Sequence, residues 1–376
     1  MLFKNIIGQE EIKQQLIEMV AQNRLSHALL LLGPEGSGAL PLALAFANYL
    51  SLIPSDSHSS QKSDSLFGEE KIEAKASAPE TPEAADRWTE TQTGFSKAEA
   101  MVHPDIHFSY PVIPKKPGDK PLSTDFITEW RQFVKQSPYG NVYDWLQFIG
   151  AENKQGNITA NECNDIIRKL YLKSFESSYK ILVMWMPEYL GNEGNKLLKL
   201  IEEPPPDTVF IFVAENESLI LPTILSRLQL IKIPVLEMHS IEQELISKSG
   251  LQAEQARQIA AVSEGNYREA QQLLQHTEED WQTLLRDWLN AVLKTGPVAQ
   301  VKWVEEISKL GREKQKQFLR YFNHLLEQAI RLQVLGEART TMAGNEKDFA
   351  DRLNKIADFS QQQAIIEEID NYVYYI

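Results

Sequence analysis

Cysteine is nearly absent: Cys163 is the only one in 376 residues. That excludes an internal disulfide framework and any structural zinc site built on several thiolates. No apolar run reaches the roughly 18–20 residues that a membrane-spanning helix requires. The stretch Met1-Leu-Phe-Lys-Asn-Ile-Ile-Gly8 has no basic segment followed by an apolar core. A secretory leader is therefore not expected, and a cytoplasmic location is. Basic charge is also short, with 38 Lys and Arg against 52 Asp and Glu and a net charge of −14. A chain that gripped DNA mainly by neutralising phosphates would carry a basic surface. This balance favours protein partners instead.

What is present suits a soluble chain of two or three domains, with 43% hydrophobic and 24% charged residues. The most informative stretch is Leu29-Leu-Leu-Leu-Gly33-Pro-Glu-Gly36-Ser-Gly38-Ala39-Leu40. It reads as a buried strand, a glycine-rich turn and a helix, the layout of a phosphate-binding P-loop, G-x-x-x-x-G-K-[ST]. Gly33 and Gly38 take the two glycine positions, with Gly36 between them. Where that chemistry needs a lysine for the β/γ-phosphates and a hydroxyl for Mg²⁺, the chain has Ala39 and Leu40. Neither can do the work, so no nucleotide cofactor is expected at this remnant.

Elsewhere the pattern alternates between strands and helices. Ile53 to about Ala100 is rich in Ser, Glu, Ala, Lys, Pro and Thr. Its sparse apolar content predicts a disordered insertion, or a docking segment that folds on a partner. His103-Pro-Asp105-Ile-His107 opens a strand. Without a third ligand, its histidines read as structural and no metal is expected. Thr159 is placed to cap a helix with Glu162 at the capping-box position, and Ile166, Ile167, Leu170 and Tyr171 face inward before an end near Phe175. Tyr179-Lys-Ile-Leu-Val-Met-Trp-Met186 and Thr208-Val-Phe-Ile-Phe-Val-Ala214 are near-continuous apolar strands, as in a parallel sheet covered on both faces. In P-loop ATPases such a strand ends in Asp-Glu. Here the stretch is Trp185-Met-Pro-Glu188, and Glu188 reads as a solvent-facing loop residue. Beyond Pro234 the signals are helical. Phe318, Tyr321, Phe322, Leu325, Leu326 and Ala329 form one apolar face, and Trp281, Trp288 and Trp303 read as core fillers.

Several separated stretches together resemble one family. They are Ile6-Ile-Gly-Gln9, His27-Ala28, Gly33–Gly38, His103-Pro-Asp105, Asn195-Lys-Leu-Leu-Lys-Leu-Ile-Glu-Glu-Pro204, Leu221-Pro-Thr-Ile-Leu-Ser-Arg227 and Gly265-Asn-Tyr-Arg268. The chain resembles the bacterial DNA polymerase III clamp-loader subunits of the AAA+ class, the delta-prime type above all, over about residues 1–275. The resemblance implies an α/β fold: a RecA-like AAA+ domain over 1–236 with the insertion at about 54–100, a helical lid over 237–277, and an all-α collar over 278–376. It implies a non-catalytic subunit of a hetero-pentameric ring with motor (tau/gamma-like) and delta subunits. Sliding clamp and primer–template DNA are then met through the complex, and no membrane is involved. The family's arginine finger maps onto Arg227, which would act in trans on a neighbouring subunit's ATP. Arg268 falls where motor subunits sense nucleotide from the lid, a role not expected without nucleotide. Two features depart from the family. The family's four-cysteine zinc module is replaced by the Ser/Glu-rich segment, and its Ser-Arg-Cys motif reads Ser226-Arg227-Leu228. The competing readings are an active motor ATPase and an AAA+ frame repurposed as an adaptor outside replication.

Overall fold

The computed structural model describes residues 1–53, 79–116, 118–151, 154–275, 281–335 and 344–375. Five strands form one parallel sheet: β1 (Ala28–Leu32), β2 (Ile106–Ser109), β3 (Lys180–Trp185), β4 (Thr208–Ala214) and β5 (Gln229–Lys232). Their spatial order is β2-β3-β4-β1-β5. Leu30 pairs with Phe212 on one side and Leu230 on the other, so β1 is interior. Alternation along each strand feeds two cores. Leu29, Leu31, Ile181, Val183, Trp185, Val209, Ile211 and Val213 enter one; Ala28, Leu30, Leu182, Met184, Phe210 and Phe212 enter the other. Burial on both faces is why these strands carry no polar alternation.

The helices α1 (Glu10–Ala21), α2 (Ala39–Ser51), α3 (Pro82–Thr91), α4 (Phe95–Glu99), α5 (Ile127–Gln136) and α6 (Val142–Phe148) contribute to the first core. The second core takes in α7 (Ala160–Leu170), α8 (Leu198–Glu202) and α9 (Pro222–Leu225). The α/β class expected from the sequence is borne out.

The chain divides into two compact units. The first holds 1–244 and 264–268. The second holds 245–263 and 269–376, so α10 (Met238–Ser249) and α12 (Tyr267–Gln275) straddle the division, while α11 (Ala253–Val262) lies in the second. Beyond it run α13 (Trp281–Asn290), α14 (Pro297–Ser308), α15 (Arg312–Leu335), α16 (Gly344–Ile356) and α17 (Phe359–Tyr375). Phe318, Tyr321, Phe322, Leu325, Leu326 and Ala329 of α15 are buried as their spacing predicts, and Trp281, Trp288 and Trp303 pack against the same cluster.

Three expectations need correction. Within the supposed insertion, residues 82–91 and 95–99 are helical, while 54–78 lie outside the described residues. Thr81 caps α3 through the Ala84 N–H, and Pro82 starts it. The buried Asp86 carboxylate accepts the N–H groups of Phe3 and Lys4 at 2.9 and 2.7 Å. A charged residue thus anchors the helix, which composition alone reads as disorder. Helix α7 ends at Leu170 rather than near Phe175, leaving Tyr171 exposed. There the Lys180 ammonium takes the carbonyls of Leu170 and Leu172 at 2.7 and 3.2 Å. The buried Asp105 carboxylate accepts the N–H groups of Phe175, Glu176 and Ser177 at 2.6–2.8 Å. Finally, Glu188 does not face solvent freely. Its Oε1 accepts the N–H groups of Glu215 and Asn216 at 2.7 and 2.9 Å, tying the end of β3 to the end of β4.

Candidate functional site: a glycine-rich loop filled by its own side chains

The loop between β1 and α2 has the conformation that its glycines suggest. Gly36 and Gly38 sit at φ +71° and +91°, which side-chain-bearing residues rarely adopt. At Gly36 space also forbids a side chain: a Cβ there would lie 1.9 Å from Asn266 Oδ1. Ala39 and Leu40 begin α2 and are buried in the first core.

The loop's hollow is lined by Gly33, Gly36, Gly38, Ala39 and Leu40 together with Tyr139, Trp185 and Glu215. The remnant residues singled out from the sequence are therefore brought together. Its cavity volume is about 30 Å³. That is room for one or two waters, against several hundred Å³ for an ordinary small-molecule site.

What closes the loop comes from far along the chain. Glu35 projects from the loop and accepts Asn141 Nδ2 at 2.8 Å, Asn266 Nδ2 at 3.1 Å and Arg268 Nη1 at 3.0 Å. The Arg268 side chain is only 4% exposed. Its other edge forks onto Asp144, Nε to Oδ2 at 2.5 Å and Nη2 to Oδ1 at 2.7 Å. Two-point geometry of this kind is the strong form of a charge-assisted bond. The Tyr267 N–H also donates to the Gly36 carbonyl at 3.3 Å, and the Tyr267 ring meets Tyr139 edge-on at 4.9 Å. The segment 264–268 is thus fastened to the loop from both sides.

The electrostatics run against a polyphosphate. Glu35, Asp144, Glu188 and Glu215 cluster near the loop. Burial raises the Glu188 carboxyl above its ordinary range. The Glu215 carboxyl is pushed up to about 8, first by desolvation and then by the charges of Glu35 and Glu188, with Arg268 opposing. Two carboxyls held this way, Glu188 and Glu215, make a poor host for further negative charge.

Arg227 lies elsewhere, at the carboxyl-terminal end of α9, and does not line the hollow. Its Nε meets Glu202 Oε1 at 2.6 Å, with Nη2 on the same oxygen. Nη1 donates to the Thr223 carbonyl at 2.5 Å and to Ser226 Oγ at 3.1 Å. Its side chain remains 34% exposed. His103 and Asp105 are engaged locally: His103 Nδ1 accepts the Asp105 N–H at 3.2 Å, and Nε2 lies 3.4 Å from Glu176. Among the described residues no group of three His, Cys, Asp or Glu is arranged to hold a metal ion.

Comparison with known proteins bears on this arrangement. Residues 140–237 match the family model described as DNA polymerase III, delta subunit, and these include Asp144, Glu188, Glu202 and Arg227. The chain is 23% identical over 270 residues to DNA polymerase III subunit delta' of Bacillus subtilis (strain 168), covering 72% of this chain and 60% of that protein. The chain is thus similar to subunits of DNA polymerase III. It is also 23% identical over 333 residues to the tau subunit of the same organism, covering 87% of this chain and 46% of that one. The alignments thus span about half the length of these curated relatives. Among solved structures, a DNA polymerase III gamma subunit-related protein of Thermotoga maritima aligns at TM-score 0.35 and 13% identity, covering 96% of this chain and 98% of that one. The RuvB Holliday junction branch migration motor of Thermotoga maritima aligns at 0.39 and 12%, covering 89% and 78%. Scores this low add nothing on function. The clamp-loader resemblance read from the motifs is borne out by the sequence relatives. Among the described residues no helix is long and apolar enough to cross a membrane.

Glu35, Asn141, Asp144 and Asn266 were not singled out by sequence reasoning. The Glu35–Arg268 pair spans 233 residues and the Asp144–Arg268 pair spans 124, and no spacing rule reaches that far. The one local signal was the Asn141/Asp144 capping box, which fixes both side chains.

Proposed function

We propose that this chain is a delta-prime-like clamp-loader subunit that neither binds nor hydrolyses ATP and contributes Arg227 to the ATP site of an adjoining motor subunit. The observation that carries the reading is the Glu35 carboxylate, seated in the glycine-rich loop by three donors beside a cavity of about 30 Å³. Ala39 and Leu40 supply neither the ammonium nor the hydroxyl that phosphoryl transfer uses. No specific observation favours the active-motor alternative.

Arg227 supports the second half. Its pairing with Glu202 is exposed, and exposed ion pairs are worth about 0–1 kcal/mol. A neighbour's phosphate can therefore draw the guanidinium away at little cost. In trans, such an arginine stabilises charge developing on a transferring phosphoryl group, an effect of about 10³–10⁵ in rate. In this reading residues 1–236 form the AAA+ body, 237–277 a lid segment and 278–376 a collar, and clamp and primer–template are met through a ring with motor and delta subunits.

The test is reconstitution with tau/gamma-like and delta subunits, with ATPase and clamp loading measured. Arg227→Ala should leave assembly intact and lower turnover at the site it serves by about 10³-fold. Unchanged turnover removes the role of Arg227. Failure of the wild-type chain to assemble removes the clamp-loader assignment and points to an adaptor.

A further inference from the structure

Arg227 is held to its own chain by most of its donors. A guanidinium carries five N–H groups. The Nε hydrogen goes to Glu202 Oε1 at 2.6 Å, and Nη2 reaches the same oxygen. The two Nη1 hydrogens go to the Thr223 carbonyl at 2.5 Å and to Ser226 Oγ at 3.1 Å. Four of the five are therefore engaged by one carboxylate, one carbonyl and one hydroxyl. The backbone beneath the pair is fixed. Ile201, beside Glu202, and Ile224, whose carbonyl takes the Arg227 N–H at 2.9 Å, are buried in the second core. Pro204, Pro205 and Pro206 follow closely and stop α8 at Glu202. What can move is the side chains, of which Arg227 is 34% exposed and Glu202 45%. Among the described residues Glu202 makes no other ion pair.

A fork clasped in this way is not free to clasp a phosphate. Two-point binding of a phosphoryl group needs two parallel N–H groups, and the Nε/Nη2 edge that would supply them is on Glu202. The carboxylate also cancels the charge. Paired, the two side chains sum to zero, and only the separated guanidinium presents a full positive charge to a reacting phosphoryl group. We propose that Glu202 is a positioning residue: it latches Arg227 to its own chain until a neighbour's triphosphate displaces the carboxylate. The latch is weak because both side chains are exposed, and an exposed ion pair shifts an equilibrium by no more than about fivefold. A triphosphate, with several negative charges against one, takes the guanidinium from it. Glu202 thus keeps the arginine from acting before the adjoining site is filled.

The experiment uses this chain reconstituted with tau/gamma-like and delta subunits, with ATP hydrolysis followed over a single turnover so that product release does not mask the chemical step. Glu202→Gln keeps the shape of the side chain and removes its charge. It should raise the single-turnover rate about threefold, within the roughly fivefold that an exposed pair allows. The gain should vanish when Arg227→Ala is added, since the latch then has nothing to hold. A second readout needs no partner. In ¹⁵N NMR of the full chain, the Arg227 Nε–H should exchange with water several-fold faster in Glu202→Gln than in the wild type. The melting temperatures of the two should be nearly equal, which separates loss of a latch from loss of structure. A rate that stays level or falls in Glu202→Gln, a gain that persists without Arg227, or an unchanged Nε–H exchange overturns the proposal. It rests on the reading that Arg227 serves a neighbour's ATP site, and the two fail separately. Unchanged hydrolysis in Arg227→Ala sinks that reading, whereas hydrolysis that falls in Arg227→Ala yet stays level in Glu202→Gln sinks only this inference.

Discussion

Two arginines in one molecule show what burial does to a guanidinium. Arg268 is 4% exposed and its edges meet two carboxylates, one of them from the glycine-rich loop. Arg227 is 34% exposed and leans on one carboxylate at the end of a short helix. Losing a buried partner leaves charge stranded in poor solvent; losing an exposed one returns it to water. Arg268 is therefore committed to holding the chain's own structure, and Arg227 is available to something else.

The sharpest way to break that contrast is to remove each arginine and compare stability. Arg268→Leu strands Glu35 and Asp144, and urea unfolding should show a loss of about 3 kcal/mol. Gly36→Ala should cost about 2 kcal/mol, because a Cβ there combines a positive φ with a 1.9 Å approach to Asn266 Oδ1. A milder loss would mean that Asn266 moves aside and the loop is looser than its hydrogen bonds imply.

The next effect is pH-dependent. The folded-state pKa of Glu215 is raised, so the folded chain holds that proton more tightly than the unfolded chain. The associated stability is fully present below the ordinary carboxylate range and is lost as pH rises toward about 8. Glu215 has an exposed flank although its carboxyl sits among other carboxylates, so solvent screens part of the effect. Urea midpoints should fall modestly between pH 5 and pH 8 in the wild type and flatten in Glu215→Gln. A wild type that gains stability over that range contradicts the crowding of carboxylates around the loop. The smallest effect belongs to Arg227→Ala, which should change stability by under about 1 kcal/mol. A loss as large as that of Arg268→Leu would make Arg227 a structural residue and erase the distinction.

Much of the architecture was legible because it rests on local pattern. Apolar runs gave β1, β3 and β4, and helical spacing gave the buried face of α15. Glycine spacing marked the loop, and Thr159 caps α7 through the Glu162 N–H as its position suggested. What escaped depends on long-range polar contacts. Helix α3 is held by Asp86 on backbone 82 and 83 residues away, so its polar composition concealed an ordered element. The early end of α7 is set by Lys180 and Asp105 reaching backbone groups from neighbouring strands. The candidate site divides in the same way. Its glycines and its missing lysine could be read directly, whereas Glu35, Asp144 and Arg268 come together only in the folded chain. Arg227 was found through a family motif, and its partner Glu202 was visible only in the structure.

The claim that the glycine-rich loop is closed by the chain itself is tested most directly by equilibrium binding of labelled ATP to the isolated protein, with and without Mg²⁺. The account predicts no saturable binding at micromolar nucleotide under either condition. Submicromolar, Mg²⁺-dependent binding would contradict it, because such a site needs the room and the positive charge that Glu35, Asp144 and the 30 Å³ cavity deny.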